Sequence, residues 1–216
     1  MIDIDGLVVR RGDTDVLSGV RLRVEDGEAV HITGANGSGK STLLGVLAGL
    51  YDPAAGTVLI GGHRPGDRAA RALLGHVQEP PPLYEHLTAH EQLALTAALW
   101  NVRTAHLVDR ADALGLADRR DVLVGDLSLG QRKKLGFVCA TAHDPRLLLL
   151  DEPFNGLDSA AESAVRDDLA RWKAEGRTLV LVSHTAEAVA GLVDRTVRLG
   201  AGAGAVAPSR PDGERA

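Results

Sequence analysis

A glycine-rich segment, GANGSGKS at residues 34–41, has the residue types and spacing of a phosphate-binding loop. Its glycines would let backbone N–H groups turn inward around a polyphosphate. Lys40 would reach the β- and γ-phosphates, and the Ser41 hydroxyl would bind Mg²⁺. The other predicted nucleotide-binding residues of this segment are Gly34, Asn36, Gly37, Ser38, Gly39 and Thr42.

Two adjacent carboxylates follow a continuous apolar run later in the chain. Leu147–Leu150 predicts a buried parallel strand, and Asp151 and Glu152 come directly after it. Open α/β sheets bind ligands at the carboxyl ends of their strands. We therefore predict that Asp151 holds Mg²⁺ through water and that Glu152 is the general base that polarises an attacking water. Two surface acids at a strand end are the alternative, which the loop at 34–41 disfavours.

Alternating strand and helix patterns around these motifs predict a parallel α/β sheet. Glu28–Thr33 should be the strand that leads into the loop, and Ser41–Leu50 the helix that leaves it. Ser159–Glu175 has a helical apolar face, and Thr178–Val182 is a second buried strand. This order places both chemical motifs at one edge of the sheet.

The N-terminal part has shorter strand patterns. Ile2–Arg10 and Gly19–Val24 alternate between apolar and polar residues on either side of a turn. Thr57–Ile60 and Leu73–Gln78 are two further strand candidates.

The middle of the chain is predicted to be mostly helical. Thr88 and Ser128 each open a capping box, which marks a helix start. Thr104–Leu114 is a third helix, with Gly115 as its C-terminal cap. Residues 83–142 therefore form a predicted helical insertion.

Composition excludes several classes of protein. The chain has 216 residues and a net charge of −5, which argues against nucleic acid as a partner. No apolar run approaches the ~20 residues of a membrane-spanning helix, and the N-terminus has no signal-peptide pattern. The single cysteine, Cys139, fits a reducing cytoplasm and should be a buried, inert thiol.

The segment LSLGQ at residues 127–131 resembles the L-S-G-G-Q signature of the ABC transporter ATPases. Ser128 precedes Asp151 by 23 positions, a spacing that is also similar to that family. The resemblance extends from about residue 2 to residue 199.

This resemblance implies an α/β fold of the P-loop NTPase type. A RecA-like parallel-sheet core would carry an N-terminal antiparallel β part and an inserted helical subdomain. The ABC ATPase domain would span residues 1–199, with a core at 1–82 and 143–199 and the helical subdomain at 83–142. Residues 200–216 would be a disordered tail.

The resemblance also implies a head-to-tail dimer, a homodimer or a heterodimer, that encloses two ATP molecules. Ser128 and Gly130 of one subunit, with Gln131, would meet the γ-phosphate held by the other. This contact would supply the stabilisation that an arginine finger provides elsewhere.

Three further residues acquire roles from the resemblance. His184 is similar to the switch histidine, which contacts the γ-phosphate and the catalytic glutamate. Gln78 is similar to the glutamine that senses Mg²⁺ and the attacking water while touching the transport partner. Asp158, in the loop after the two carboxylates, would belong to the nucleotide site.

Two residues depart from the family pattern. Leu129 stands where the family has glycine, and its bulk would crowd the dimer and slow hydrolysis. Arg11 stands where an adenine-stacking aromatic is expected. A guanidinium also stacks on a base, so Arg11 is either this platform or a solvated loop charge.

The implied function is that of an ATP-hydrolysing subunit that binds ATP and Mg²⁺ and powers a separate membrane permease. Within the family, the chain is most similar to the ATPase subunits of bacterial exporters of the ABC-2 kind. The subunit would be cytoplasmic and attached to the inner face of the membrane through the permease. The segment Glu79–Leu93, with Leu83, Tyr84 and Leu87, is predicted to receive the permease. The alternative is a soluble ABC ATPase without a transport role, such as an iron–sulfur assembly subunit.

Overall fold

The computed structural model describes residues 1–184 and 186–200, together with a short strand at Ala207–Ser209. The strands are β1 (Ile2–Arg11), β2 (Thr14–Val24), β3 (Ala29–Thr33), β4 (Ala55–Ile60), β5 (Leu74–Val77), β6 (Leu147–Asp151), β7 (Thr178–Val182), β8 (Arg195–Arg198) and β9 (Ala207–Ser209). The α-helices are α1 (Lys40–Leu47), α2 (Arg68–Leu73), α3 (Ala89–Trp100), α4 (Thr104–Ala113), α5 (Leu129–Ala140), α6 (Ser159–Ala174) and α7 (Ala186–Val189). Short 3₁₀ turns lie at Ala117–Arg119 and Val124–Asp126.

The strands form two sheets. An antiparallel sheet has the order β2-β1-β4, and a larger sheet has the order β5-β6-β7-β3-β8-β9. In the larger sheet, the neighbouring strands β5, β6, β7, β3 and β8 all pair in parallel. Strand β9 pairs antiparallel with β8. The α/β class and the N-terminal antiparallel part are therefore confirmed.

The parallel sheet is buried on both faces. Along β6, Leu147 and Leu149 face a cluster shared with β1, β2, β4 and α1, whereas Leu148 and Leu150 face a cluster shared with α3, α4, α5 and α6. A strand covered on both faces has no solvent-facing position, which explains the uninterrupted apolar sequence. The same burial holds the strand ends, and the side chains that follow them, in fixed positions.

Both capping boxes are confirmed. The Thr88 and Ser128 side chains each accept a hydrogen bond from the backbone N–H three residues on, and the side chain there accepts one from the N–H of the cap in return. The middle of the chain is helical, as predicted, while the exact domain bounds stay predictions.

Helix α1 is shorter than predicted, because it ends at Leu47 rather than Leu50. Gly49 has a φ of 72°. Its N–H donates to the Val46 carbonyl oxygen, and the Leu50 N–H donates to the Gly45 carbonyl oxygen, which is the Schellman pattern of a helix end. The predicted strand Leu73–Gln78 is shorter in the structure, because Leu73 ends helix α2 and β5 covers only Leu74–Val77.

The predicted tail, 200–216, lies mostly outside the described residues; within it, Ala207–Ser209 is the strand β9. Among the described residues, none of the helices has the length and apolar character that crossing a membrane requires.

Candidate functional site

The phosphate-binding loop joins the end of β3 to the start of α1. Gly37 and Gly39 have φ values of 78° and 91°, in the left-handed region that favours glycine. A Cβ atom at Gly39 would also lie 2.5 Å from Leu17 Cδ2, in the neighbouring antiparallel sheet. The loop conformation therefore requires these glycines, and the N-terminus of helix α1 that follows them is suited to binding an anion.

Lys40 spans this loop. Its Nζ donates hydrogen bonds of 2.9 and 3.1 Å to the carbonyl oxygens of Gly34 and Ala35, and the residue is 7% exposed. The ammonium group is therefore held beside the backbone N–H groups that would surround a polyphosphate.

Asp151 lies at the carboxyl end of β6, paired with Val182 of β7. Burial raises the pKa of its carboxyl, and a hydrogen bond from the Ser41 hydroxyl and the nearby Lys40 charge act in the opposite direction. The Ser41 and Asp151 oxygens thus lie together beside the phosphate loop.

Glu152 follows in an unusual conformation. Its φ is 46°, a left-handed value that is uncommon for a residue with a side chain, and its N–H donates to the Val182 carbonyl at 3.0 Å. Burial raises the pKa of its carboxyl, opposed mainly by His184, whose Nε2 lies 3.4 Å from Oε1. Oε1 is buried, and none of the described residues donates a hydrogen bond to it. A carboxylate oxygen with an unused lone pair and a raised pKa has the properties of a proton acceptor.

These groups share one open cavity of about 450 Å³. The predicted site residues that line it are Arg11, Asn36, Gly37, Gly39, Lys40, Ser41, Thr42, Asp151, Glu152 and His184. Gly34 and Ser38 belong to the loop without lining the cavity. Ser38 is 1% exposed, and its Oγ has no hydrogen-bond partner among the residues that the structure describes.

Glu79 also lines the cavity and was not among the predicted residues. It forms an ion pair with Lys133, a buried residue of helix α5. No motif marks this pair, because its two members lie 54 positions apart in the sequence. Its neighbour Gln78 lines a small space together with Asp151 and Glu152, rather than the main cavity.

The signature residues do not line this cavity. The Ser128 Oγ accepts the Gln131 N–H at 3.2 Å, and the Ser128 N–H donates to Gln131 Oε1 at 3.0 Å. Gly130 lies so close to the loop after β6 that a Cβ atom would be 2.9 Å from the Gly156 carbonyl oxygen. Leu129 is 47% exposed at the same place. Within one chain, the signature and the phosphate loop are not brought together.

Asp158 also lies outside the cavity. Its Oδ1 accepts the Ala161 N–H at 2.8 Å and caps helix α6, while Oδ2 accepts from Lys134 Nζ at 2.9 Å. These two hydrogen bonds lower the pKa of its carboxyl, the backbone bond most strongly. In this chain, Asp158 therefore links helices α5 and α6.

Comparison with known proteins gives concordant matches. Residues 17–155 match the family described as ABC transporter. An ABC transporter ATP-binding protein of Halobacterium salinarum is 41% identical, over 92% of this chain and 89% of its own length. A lantibiotic transport ATP-binding protein of Streptococcus pyogenes is 30% identical, over 90% of this chain and 84% of its own. A dimeric bacterial ABC transporter cassette of known structure superimposes with a TM-score of 0.83 at 26% identity, covering 94% and 95% of the two chains.

Proposed function

Because the chain belongs to the ABC transporter family of ATP-binding proteins, we propose that it dimerises around two ATP molecules and hydrolyses them to drive a separate permease, an exporter. The observation that carries this proposal is the convergence of Lys40, Asp151 and Glu152 on one cavity. Two distant segments of the sequence thereby supply a phosphate ligand from one and a metal ligand and a base from the other.

ATP would enter with its phosphates in the loop. The backbone N–H groups of residues 34–41 and the N-terminus of α1 provide partial positive charge, and Lys40 provides a full one. The ammonium group would exchange its carbonyl contacts for the β- and γ-phosphate oxygens.

Mg²⁺ fits the pair formed by Ser41 and Asp151. A hydroxyl and a carboxylate are the hard oxygen ligands that this ion prefers, with phosphate oxygens and water completing its shell. The raised pKa of the Asp151 carboxyl means that its charge is poorly compensated in the free protein, and a cation there would relieve this. The bound ion would neutralise charge on the phosphates.

Glu152 would accept a proton from the water that attacks the γ-phosphate, since no described residue donates a hydrogen bond to its buried Oε1. His184, 3.4 Å away, would orient this carboxylate and contact the γ-phosphate. Gln78, across the small space beside Glu152, would help to position Mg²⁺ and the water.

A second subunit would complete the site. Ser128 and Gly130, with Gln131 as the capping partner, lie outside the cavity of their own chain and would act on the ATP bound by the other chain. The exposed Leu129 would lie at this contact, where its bulk slows closure. Asp158, fixed at the start of α6, would contribute to the same interface.

The permease would dock in the groove between the core and the helical subdomain, which we call the subdomain groove. It is lined by Ala48, Leu50, Arg71, Leu74, His76, Gln78, Trp100, Cys139, Ala140 and His143. Gln78 therefore borders both this groove and the carboxylates, which supports a role in linking permease and nucleotide. Docking there would attach the subunit to the inner face of the membrane.

The test of the proposed chemistry is Glu152→Gln. This change keeps the shape of the side chain and removes the base, so turnover should fall by at least ~10²-fold. ATP affinity, measured by calorimetry, should stay within about twofold of wild type, because the phosphate ligands are untouched.

Glu162→Gln is the matched control, because Glu162 is a carboxylate of helix α6 that pairs with Arg166 and does not line the cavity. It should leave turnover unchanged. Wild-type turnover in Glu152→Gln would remove Glu152 from the role of base.

A further inference from the structure

His31 is a polar residue inside a buried strand. It lies in the middle of β3, where it pairs with Leu181 of β7 and Thr196 of β8, and it is 2% exposed. Leu181 belongs to the apolar cluster shared with helices α3 to α6. An imidazole buried beside such a cluster is costly unless its ring nitrogens are hydrogen-bonded. The partners of the ring therefore indicate what this histidine does.

The imidazole is bonded to the carbonyl group that follows strand β7. His31 Nε2 lies 3.1 Å from the Ser183 carbonyl oxygen, and Ser183 is 4% exposed. A carbonyl oxygen only accepts, so Nε2 must carry a proton and donate it. In the neutral ring, Nδ1 is then an acceptor, and it faces the Thr196 hydroxyl at 3.5 Å. The neighbouring strands thereby determine the tautomer of His31.

The bonded carbonyl belongs to the peptide that joins Ser183 to His184. The His184 side chain is 56% exposed, so burial does not hold it in place, yet its Nε2 lies 3.4 Å from Glu152 Oε1. Burial raises the pKa of the Glu152 carboxyl, and a hydrogen bond from the His184 backbone N–H is among the contacts that oppose this rise. Because a peptide is planar, a bond that fixes its carbonyl oxygen also fixes the direction of its N–H.

We propose that His31 is a positioning residue for hydrolysis, because its bond to the Ser183 carbonyl orients the following peptide and with it His184. That orientation directs both the imidazole and the backbone N–H of His184 at Glu152. The inference rests on the proposed function, in which Glu152 is the base, and adds a residue that does not line the nucleotide cavity. Loss of His31 should therefore slow hydrolysis and leave ATP binding, which depends on Lys40 and its loop, unchanged.

Two substitutions separate the hydrogen bond of His31 from its packing. His31→Leu fills the space without a donor and should lower kcat about 3- to 10-fold, the range for one net hydrogen bond, while KM for ATP changes less than about twofold. His31→Gln has an amide N–H to replace the Nε2 donor and should restore kcat to within about twofold of wild type. Wild-type kcat in His31→Leu, or no recovery in His31→Gln, would overturn the inference.

The Glu152→Gln background shows whether the effect acts through the base. There, His31→Leu should change the residual rate less than about twofold, since the group that it positions is gone. A further loss as large as in wild type would make His31 a structural residue and overturn the inference.

Thr178→Val is the matched control, because it removes a buried hydrogen bond at the other end of β7. The Thr178 hydroxyl accepts the Gly27 N–H at 2.9 Å, and Thr178 is fully buried. Thr178→Val should lower the melting temperature and leave kcat unchanged, because that end of the strand is remote from the carboxylates.

The wild-type chain offers a measurement that does not depend on how the variants fold. Long-range proton–nitrogen NMR spectra show which ring nitrogen of each histidine is protonated, and His31 should be the Nε2–H tautomer. An Nδ1–H tautomer could not donate to Ser183 and would overturn the inference. Failure of the proposed function has a different signature, because the wild-type chain would then not hydrolyse MgATP, whatever the tautomer of His31.

Discussion

Asp151 and Glu152 are adjacent carboxylates with raised pKa values and different neighbours. Asp151 accepts a hydrogen bond from Ser41 at the phosphate loop. The buried Oε1 of Glu152 receives no hydrogen bond within the described part of the chain and lies 3.4 Å from His184 Nε2. The strained φ of Glu152 turns its backbone immediately after the regular strand. Neighbouring acids in different environments can take different roles, which supports the proposed roles of metal ligand for Asp151 and base for Glu152.

At the same scale, Cys139 is half-buried rather than buried as the sequence predicts, and it is still expected to react slowly. Burial raises the pKa of its thiol to about 11, so the reactive thiolate is scarce at pH 8. A thiol reagent such as dithionitrobenzoate should label the native protein much more slowly than the denatured chain, and the native rate should rise as the pH approaches 11. Stoichiometric labelling within seconds at pH 8 would contradict the raised pKa of this thiol.

Helix α5 connects the signature to Glu79 at the nucleotide cavity and to the start of helix α6. Its N-terminus carries the signature, Lys133 pairs with Glu79 beside the cavity, and Lys134 pairs with Asp158 at the start of α6. A displacement of α5 would therefore act on two segments that flank the carboxylates. Cys139, near its C-terminal end, lines the subdomain groove.

The subdomain groove gives an element-scale prediction about the permease. Leu50 lines the groove and is 55% exposed, so Leu50→Glu should disrupt docking without disturbing the core. After fractionation of native cells, wild type should sediment with the membranes, and Leu50→Glu should shift to the cytosol with its basal ATPase unchanged.

Leu99→Glu is the control, because Leu99 is 74% exposed at the end of α3 and does not line the groove.

The predicted docking residue Tyr84 is 54% exposed, whereas Leu83 packs against the core. Tyr84→Glu therefore tests the segment Glu79–Leu93 without unfolding it. A wild-type protein that is wholly cytosolic, with the adjacent operon genes expressed, would favour the soluble ATPase alternative.

The sequence predicted those parts of the fold and site that depend on neighbours along the chain. The phosphate loop, the apolar strand before Asp151 and the capping boxes at Thr88 and Ser128 are local patterns with local physical causes. The contact of Arg11 with Tyr51 and the pair of Glu79 with Lys133 join distant segments. They depend on how the two sheets and α5 pack, which a single sequence does not reveal.

The whole molecule has its phosphate loop and its signature on separate surfaces. Lys40 lines the cavity, while Ser128 caps α5 outside it and next to the exposed Leu129. A relative of similar structure is a dimeric cassette, which is consistent with a site shared between two subunits. We therefore expect each catalytic site to combine the phosphate loop of one chain with the signature of the other.

Mixing two inactive variants tests this claim most directly. Lys40→Ala lacks the phosphate ligand and Ser128→Arg blocks the signature, so each variant alone should be nearly inactive. In their heterodimer, the Ser128→Arg chain keeps an intact phosphate loop and the Lys40→Ala chain an intact signature. An equimolar mixture should thus recover up to about one quarter of the wild-type ATPase rate, since half of the dimers are mixed and each has one intact site. Full activity of a monomeric Ser128→Arg protein, or no recovery in a demonstrated heterodimer, would contradict the shared site.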